Sequence, residues 1–152
     1  MRDLLIYTGG AIQYFLEKGE CDFYKASCWR ENFRTMLSDA FPTRKIEIYD
    51  PTIYFFERHK YSDETIIDHN TYYLRKSDIL VVNTFHLPDS PGTMAEIDYF
   101  YRERKPRVGF NDHEDNHEIL RVNKNLYTKA MLTEHFKSLD EVIKYIEVCF
   151  YC

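Results

Sequence analysis

Glycine and proline are scarce, five of each in 152 residues, and they stand mostly singly at turns. No repeat, linker or low-complexity tract interrupts the chain. No stretch approaches the roughly 20 apolar residues that a membrane span needs. The first apolar run, Leu4 to Tyr7, is too short for a signal peptide, so a cytoplasmic protein is expected. A basic excess is also missing. The formal charge of −5 argues against general binding to nucleic acid polymers, which wants a basic face to replace phosphate counterions. It leaves room for a small anionic substrate held by local backbone N–H groups. Only four cysteines occur. Cys149 and Cys152 form a C-x-x-C, but Cys21 and Cys28 are poorly spaced to complete a metal site with them. Reduced thiols, no metal and no cofactor are expected.

What is present points to one globular domain. The length is near the modal domain size, and a chain of this length can bury roughly two-thirds of the surface exposed when unfolded. Hydrophobic residues make up 44% and aromatics 16%, with 13 Tyr and 11 Phe. Many of those tyrosines must be half-buried or line a concave surface, since an apolar ring with a polar tip suits both places.

Leu4 to Tyr7, ended by Thr8-Gly9-Gly10, reads as a buried strand and a glycine turn. Trp29 to Phe41 has a helical stripe of Trp29, Phe33, Met36, Leu37 and Ala40, stopped by Pro42. Lys45 to Tyr49 alternates as a strand does, with Ile46 and Ile48 on one face, and Asp50-Pro51 ends it. Residues 52 to 63 lack a period and read as a loop. Asp63 to Lys76 is a helix capped by Ser62 or Asp63, with Ile66, Ile67, Asn70, Tyr73 and Leu74 sharing a face. Ile79 to Asn83 is a continuous apolar strand, as expected when helices cover both faces. Thr84 to Gly92 is a polar loop. Thr93 to Arg104 is a helix with Met94, Ile97, Phe100 and Tyr101 on one side. Arg107 to Phe110 is a short strand, residues 111 to 118 are an acidic, histidine-bearing loop, and Leu126 to Ala130 is ambiguous. Ser138 to Phe150 closes the chain as a helix, with Ser138 and Glu141 in a capping-box pattern. Strands alternating with helices imply right-handed crossovers and a mostly parallel sheet. The expected fold is therefore a three-layer α/β, Rossmann- or flavodoxin-like domain, with a central sheet of about five strands.

Such sheets bind ligands beyond the carboxyl ends of their strands. The richest of those places is Asp89-Ser90-Pro91-Gly92-Thr93-Met94-Ala95-Glu96. Gly92 permits close backbone approach, Ser90 and Thr93 bring hydroxyls, and the helix N-terminus favours anions. Glu96, one turn in, can reach back to the same cleft. Local pattern alone also allows a plainer role, in which Ser90 or Thr93 caps the helix and Glu96 closes a capping box. His113 and His117 are four apart, but nothing supplies a third ligand, so a solvated loop is expected there.

Tyr7 with Gly9-Gly10, Trp29-Arg30 opening a helix, Asp50-Pro51, Ser77-Asp78 before Ile-Leu-Val-Val-Asn, Ser90-x-Gly92-Thr93-x-x-Glu96-Ile97 and Lys105-Pro106 occur in a telling order. Together they resemble the nucleoside 2-deoxyribosyltransferase superfamily, which includes N-glycosidases of nucleoside 5′-monophosphates. The resemblance runs from residue 4 to about 146, and Ser-x-Gly-Thr-x-x-Glu is its most specific part. It implies that Glu96 attacks the anomeric carbon to form a glycosyl-enzyme ester, which a second base or water resolves. A carboxylate beneath an oxocarbenium-like transition state suits that chemistry. It further implies that Tyr7 holds the Glu96 carboxylate, that Gly9, Gly10, Asp50, Ser90, Gly92, Thr93 and Asn125 line the substrate site, and that the chain forms a homo-oligomer. Asn123 and Asn125 fall where the family brings in a polar residue from a neighbouring subunit.

The family places an aspartate, the acid for the leaving base, where this chain has Asn70, flanked by Asp68 and His69. An amide does not supply a proton as a carboxylic acid does. Three outcomes follow: Asp68 substitutes as the acid, Asn70 binds the sugar, or the activity is altered. Three functions are therefore expected to compete. The first is base exchange between nucleosides. The second is hydrolysis of nucleoside 5′-monophosphates or a larger nucleotide, favoured by Ser90. The third is non-catalytic nucleotide sensing, favoured by Asn70.

Overall fold

The computed structural model describes residues 3–12, 15, 20–56, 60–112 and 126–152. Five strands form its sheet: β1 (Leu4–Gly10), β2 (Ile46–Tyr49), β3 (Ile79–Asn83), β4 (Arg107–Phe110) and β5 (Glu134–Phe136). Their order is β2-β1-β3-β4-β5, and every pairing is parallel. Among the described residues the helices are α1 (Glu20–Ala40), α2 (Ile53–Phe56), α3 (Asp63–Lys76), α4 (Pro91–Arg102), α5 (Leu126–Met131) and α6 (Leu139–Phe150), with a short 3-10 turn at Leu87–Asp89 inside the expected loop. The expected three-layer α/β architecture is the one found. Among the described residues no helix is long and apolar enough to cross a membrane.

Alternation along the strands sorts the core into two layers, because successive side chains point to opposite faces. On one face Leu4, Ile6, Ile79, Val81, Val108 and Phe110 meet Phe33 and Leu37 of α1 and Leu139, Val142 and Ile146 of α6. On the other, Tyr7, Leu80 and Val82 meet Leu74 of α3 and Ile97 and Phe100 of α4. All five residues of β3 are buried. Their continuous apolar run reflects helices on both sides.

The caps of α3 and α6 are side-chain caps. Ser62 accepts from the Thr65 N–H at 3.2 Å, and Ser138 accepts from the Glu141 N–H at 3.4 Å. Glu141 reaches back to the Lys137 N–H at 2.8 Å, one residue earlier than a capping box requires.

Several expectations need correction. Residues 52 to 63 are not all loop, since Ile53–Phe56 is a single helical turn. The buried stripe of α1 is Ala26, Arg30, Phe33 and Leu37, while Ala40 is exposed. Ile67 of α3 is 63% exposed and Tyr101 of α4 is 48% exposed, so neither belongs to its core face. Helix α4 begins at Pro91, two residues earlier than its pattern suggested, because proline suits the first helical position. The ambiguous segment at Leu126 is helical, and β5 is an additional strand too short to announce itself. Cys28, Cys149 and Cys152 are exposed thiols.

Gly109 shows how tightly β4 is packed. A Cβ there would lie 2.7 Å from Leu132 Cδ1 and 2.8 Å from Thr84 Cγ2. Overpacking of this kind costs typically about 1–3 kcal/mol. Gly109→Ala should lower the melting temperature by several degrees, measured by calorimetry, at roughly 2–4 °C per kcal/mol for a domain of this size. An unchanged melt would mean that the layer relaxes freely.

Candidate active site

In a 2-1-3-4-5 sheet the chain leaves β1 first to one side and later to the other, and the resulting crevice lies between the ends of β1 and β3. Here Gly10 pairs with Asn83 at that point. Gly10 has φ +152, a conformation side chains rarely adopt, and a Cβ there would sit 3.3 Å from the Asn83 carbonyl oxygen. Its N–H donates to Thr93 Oγ1 at 3.2 Å, which fastens the end of β1 to the start of α4.

That fastening sets Glu96. The carboxylate leans over β1, and a Cβ on Gly9 would come within 3.0 Å of Glu96 Oε2. Tyr7, two residues earlier on the same face of β1, donates its hydroxyl to Glu96 Oε1 at 2.9 Å. Glu96 is therefore not closing a capping box; its partner comes from another element, 89 positions away in sequence. Ser90 occupies the cap position of α4 without a side-chain cap bond, and its hydroxyl lies 2.8 Å from that of Thr93. Burial pushes the Glu96 carboxyl up to about 7, while the Tyr7 hydrogen bond and the charge of Arg30 pull it back. Burial and the neighbouring Glu96 charge hold the Tyr7 phenol far above its ordinary range, so it stays a donor.

A cleft of about 170 Å³ opens above this carboxylate, lined by Gly10, Asn70, Ser90, Gly92, Thr93 and Glu96. Space above Gly92 is open, for a Cβ there would meet nothing within 4 Å among the described residues. Asn70 accepts from the Tyr49 hydroxyl at 2.6 Å. Tyr49 in turn stacks on Tyr73 at 4.2 Å and lies 5.1 Å from Tyr7. Tyr7 and Tyr49 are buried and Tyr73 is half-buried, so these rings pack beneath the site as part of the core. Asp68 is exposed on α3 and does not line the cleft. Asp78 has a structural duty: its carboxylate accepts the Leu5 N–H at 3.0 Å. Asn123, Asn125, His113 and His117 lie outside the described residues.

Asp50 is present near the site but is spoken for. Its Oδ1 accepts from Thr52 N at 2.8 Å and Thr52 Oγ1 at 2.7 Å. It also pairs with Arg30 at 3.4 Å. Arg30 lies in the middle of α1, not at the opening of a helix as the Trp29-Arg30 pattern suggested, and that pattern gave it no role. Its guanidinium is fully buried on the opposite face of β1 from Glu96. It donates to Thr8 Oγ1 at 3.1 Å and to the Ala26 carbonyl, and stacks over Trp29 at 4.5 Å. Thr8 passes the contact on to the Tyr49 carbonyl at 2.9 Å. Among the described residues Nη2 of Arg30 has no hydrogen-bond partner, and it sits 3.6 Å from where a Gly10 Cβ would be. Burial lowers the affinity of this guanidinium for its proton, and Asp50, Glu96 and Tyr7 offset only part of that. The signal was available: an arginine on the buried stripe of an amphipathic helix, where charge is rarely placed unless paired.

No protein-family profile and no curated protein sequence matches the chain. A solved structure described as a conserved protein from Enterococcus faecalis V583 is similar, with a TM-score of 0.64 and 19% identity over 97% of this chain and 99% of that one. At that identity the likeness speaks for the fold.

Proposed function

We propose that this protein cleaves the N-glycosidic bond of a nucleoside or nucleotide through a covalent ester on Glu96, and passes the sugar to another base. The observation that carries the reading is the desolvated Glu96 carboxylate, held by Tyr7 at 2.9 Å over the switch point of the sheet. An ionised carboxylate placed beneath C1 stabilises the developing oxocarbenium charge and then bonds to the carbon. The C1–N bond breaks with its electrons leaving on the base nitrogen, which takes a proton. The second base attacks C1, and Glu96 leaves as a carboxylate. Asn70, Ser90 and Thr93 offer amide and hydroxyl groups to the sugar, which supports a sugar-binding role for Asn70. The resemblance adds a homo-oligomer. Incubation of a deoxynucleoside with a second free base tests the reading: the exchanged nucleoside is expected, and an unaltered substrate contradicts it.

Ser90 favours a second reading, hydrolysis of nucleoside 5′-monophosphates. A neutral hydroxyl at the N-terminus of α4 accepts a phosphate without charge repulsion. Release of free sugar phosphate, with no exchanged product, would select this reading.

The pH profile follows from Glu96. Activity requires its ionised form, so kcat/KM should fall as pH drops through about 7. Tyr7 stabilises that ionised form, so Tyr7→Phe should move this limb to higher pH by about 1–2 units, the size of a hydrogen bond to a charged group. Near pH 7 the variant should be about 5- to 50-fold slower, recovering in more alkaline buffer. A rate loss equal at every pH would separate Tyr7 from the carboxylate.

A further inference from the structure

A cleft of about 780 Å³ opens at the opposite end of the sheet from Glu96, where β4 begins. Arg102, Arg104, Lys105 and Arg107 line it, with Tyr101 and Tyr145, and among the described residues no carboxylate does. Such a gathering of cations stands out in a chain whose net charge is −5. The volume falls within the usual range for a small-molecule site, roughly 300–1,000 Å³.

The end of α4 brings these cations together. The Lys105 N–H donates to the Phe100 carbonyl at 3.0 Å, and the Arg104 N–H to the Tyr101 carbonyl at 3.2 Å. This paired closure of a helix needs a left-handed residue, usually glycine, and Arg104 fills the place at φ 54. A charged side chain is thus kept where glycine would be less strained. Arg107 is fixed from the β4 side. Its Nε donates to the Met131 carbonyl and its Nη1 to the Lys105 carbonyl at 3.0 Å, while the guanidinium lies 5.0 Å over the Tyr101 ring. Lys105 Nζ donates to the carbonyls of Arg75 at 2.7 Å and Ser77 at 3.0 Å, leaving one of its three N–H groups. Arg102 pairs with Asp98 at 2.8 Å. Among the described residues no carboxylate pairs with Arg104, Lys105 or Arg107.

We propose that this cleft binds an oligophosphate, a chain of linked phosphate groups that is either inorganic or carried by a nucleotide. Guanidinium forks bind phosphate oxygens in pairs, and three cations without carboxylate partners at one mouth suit several linked phosphates better than one. The C-terminal dipole of α4 accounts for Arg102 in its last turn, but not for Arg107 on β4. Tyr101, 48% exposed, and Tyr145 offer rings on which a heterocycle can pack. Helix α4 runs from the Glu96 cleft to this one through 12 residues, or roughly 18 Å. A small anion bound here is therefore a different molecule from the one that meets Glu96, and the site stands whatever reaction Glu96 performs.

Calorimetric titration of the whole chain with tripolyphosphate should give a dissociation constant under about 1 mM. Inorganic phosphate should bind at least about tenfold more weakly, because it meets fewer of the cations. Arg104→Gly should weaken tripolyphosphate binding at least about fivefold. It should melt no lower than wild type, since glycine suits the left-handed position. Arg107→Gln should weaken binding as well and lower the melting temperature, because two carbonyls lose their donor. Ser90→Asp, at the other end of α4, puts a negative charge in the Glu96 cleft and should leave the affinity unchanged. ATP binding no tighter than tripolyphosphate identifies the phosphate chain as the whole ligand. Tighter binding of ATP identifies a nucleotide, with its heterocycle on the tyrosines. Absence of tripolyphosphate binding, phosphate binding just as tightly, an affinity unmoved by Arg104→Gly, or one lost in Ser90→Asp overturns the site.

Discussion

Glu96→Gln should lose at least about 10³-fold in base exchange while becoming more stable at neutral pH. The loss is the removal of the nucleophile, since an amide does not form the glycosyl ester. The gain follows from the carboxyl raised to about 7 from 4.5. Below about pH 4.5 the group is neutral in folded and unfolded chains alike, and Glu and Gln should be equally stable. As pH rises through 7 the unfolded chain has already ionised, whereas the folded one ionises only against desolvation. The folded state is then penalised by up to about 3 kcal/mol, a penalty that Gln does not carry. Melts of the two proteins from pH 4 to 8 should therefore diverge with rising pH, the variant melting higher. A variant that melts lower at pH 8, or keeps its activity, contradicts the site as described.

Arg30→Met should cost about 3–5 kcal/mol, the usual effect of stranding one member of a buried pair. Asp50 would lose its cation while still holding Thr52. Thr8 would lose its donor, loosening the ends of β1 and β2 together. At 2–4 °C per kcal/mol the melting temperature should fall by about 10 °C. The remaining folded enzyme should also show its acid limb at higher pH, because the Arg30 charge helps keep Glu96 ionised. Arg30→Lys should fall between the two, retaining charge without the planar fork. A drop under about 2 °C would mean that Asp50 is satisfied without Arg30.

Much of this was legible in the chain. The run Ile79 to Asn83 named a doubly covered strand, and Ser-x-Gly-Thr-x-x-Glu placed a carboxylate one turn into a helix at a strand end. The Tyr7 to Glu96 bond spans 89 positions, so no local pattern encodes it, and only the sheet topology brings the pair together. Arg30 was named beside Trp29 yet given no role, because a stripe drawn through apolar residues alone skips the charged position that lies on it. Ile67 misled in the opposite sense, since an apolar residue at helical spacing is exposed when α3 buries little beyond Leu74.

Mass spectrometry of the intact protein after mixing with a 2-fluoro-2-deoxynucleoside tests the central claim most directly. The fluorine slows release of the sugar, so a fluorodeoxyribosyl adduct should accumulate and map by fragmentation to Glu96. An unmodified protein after turnover of the same compound, or an adduct on any other residue, would contradict the account.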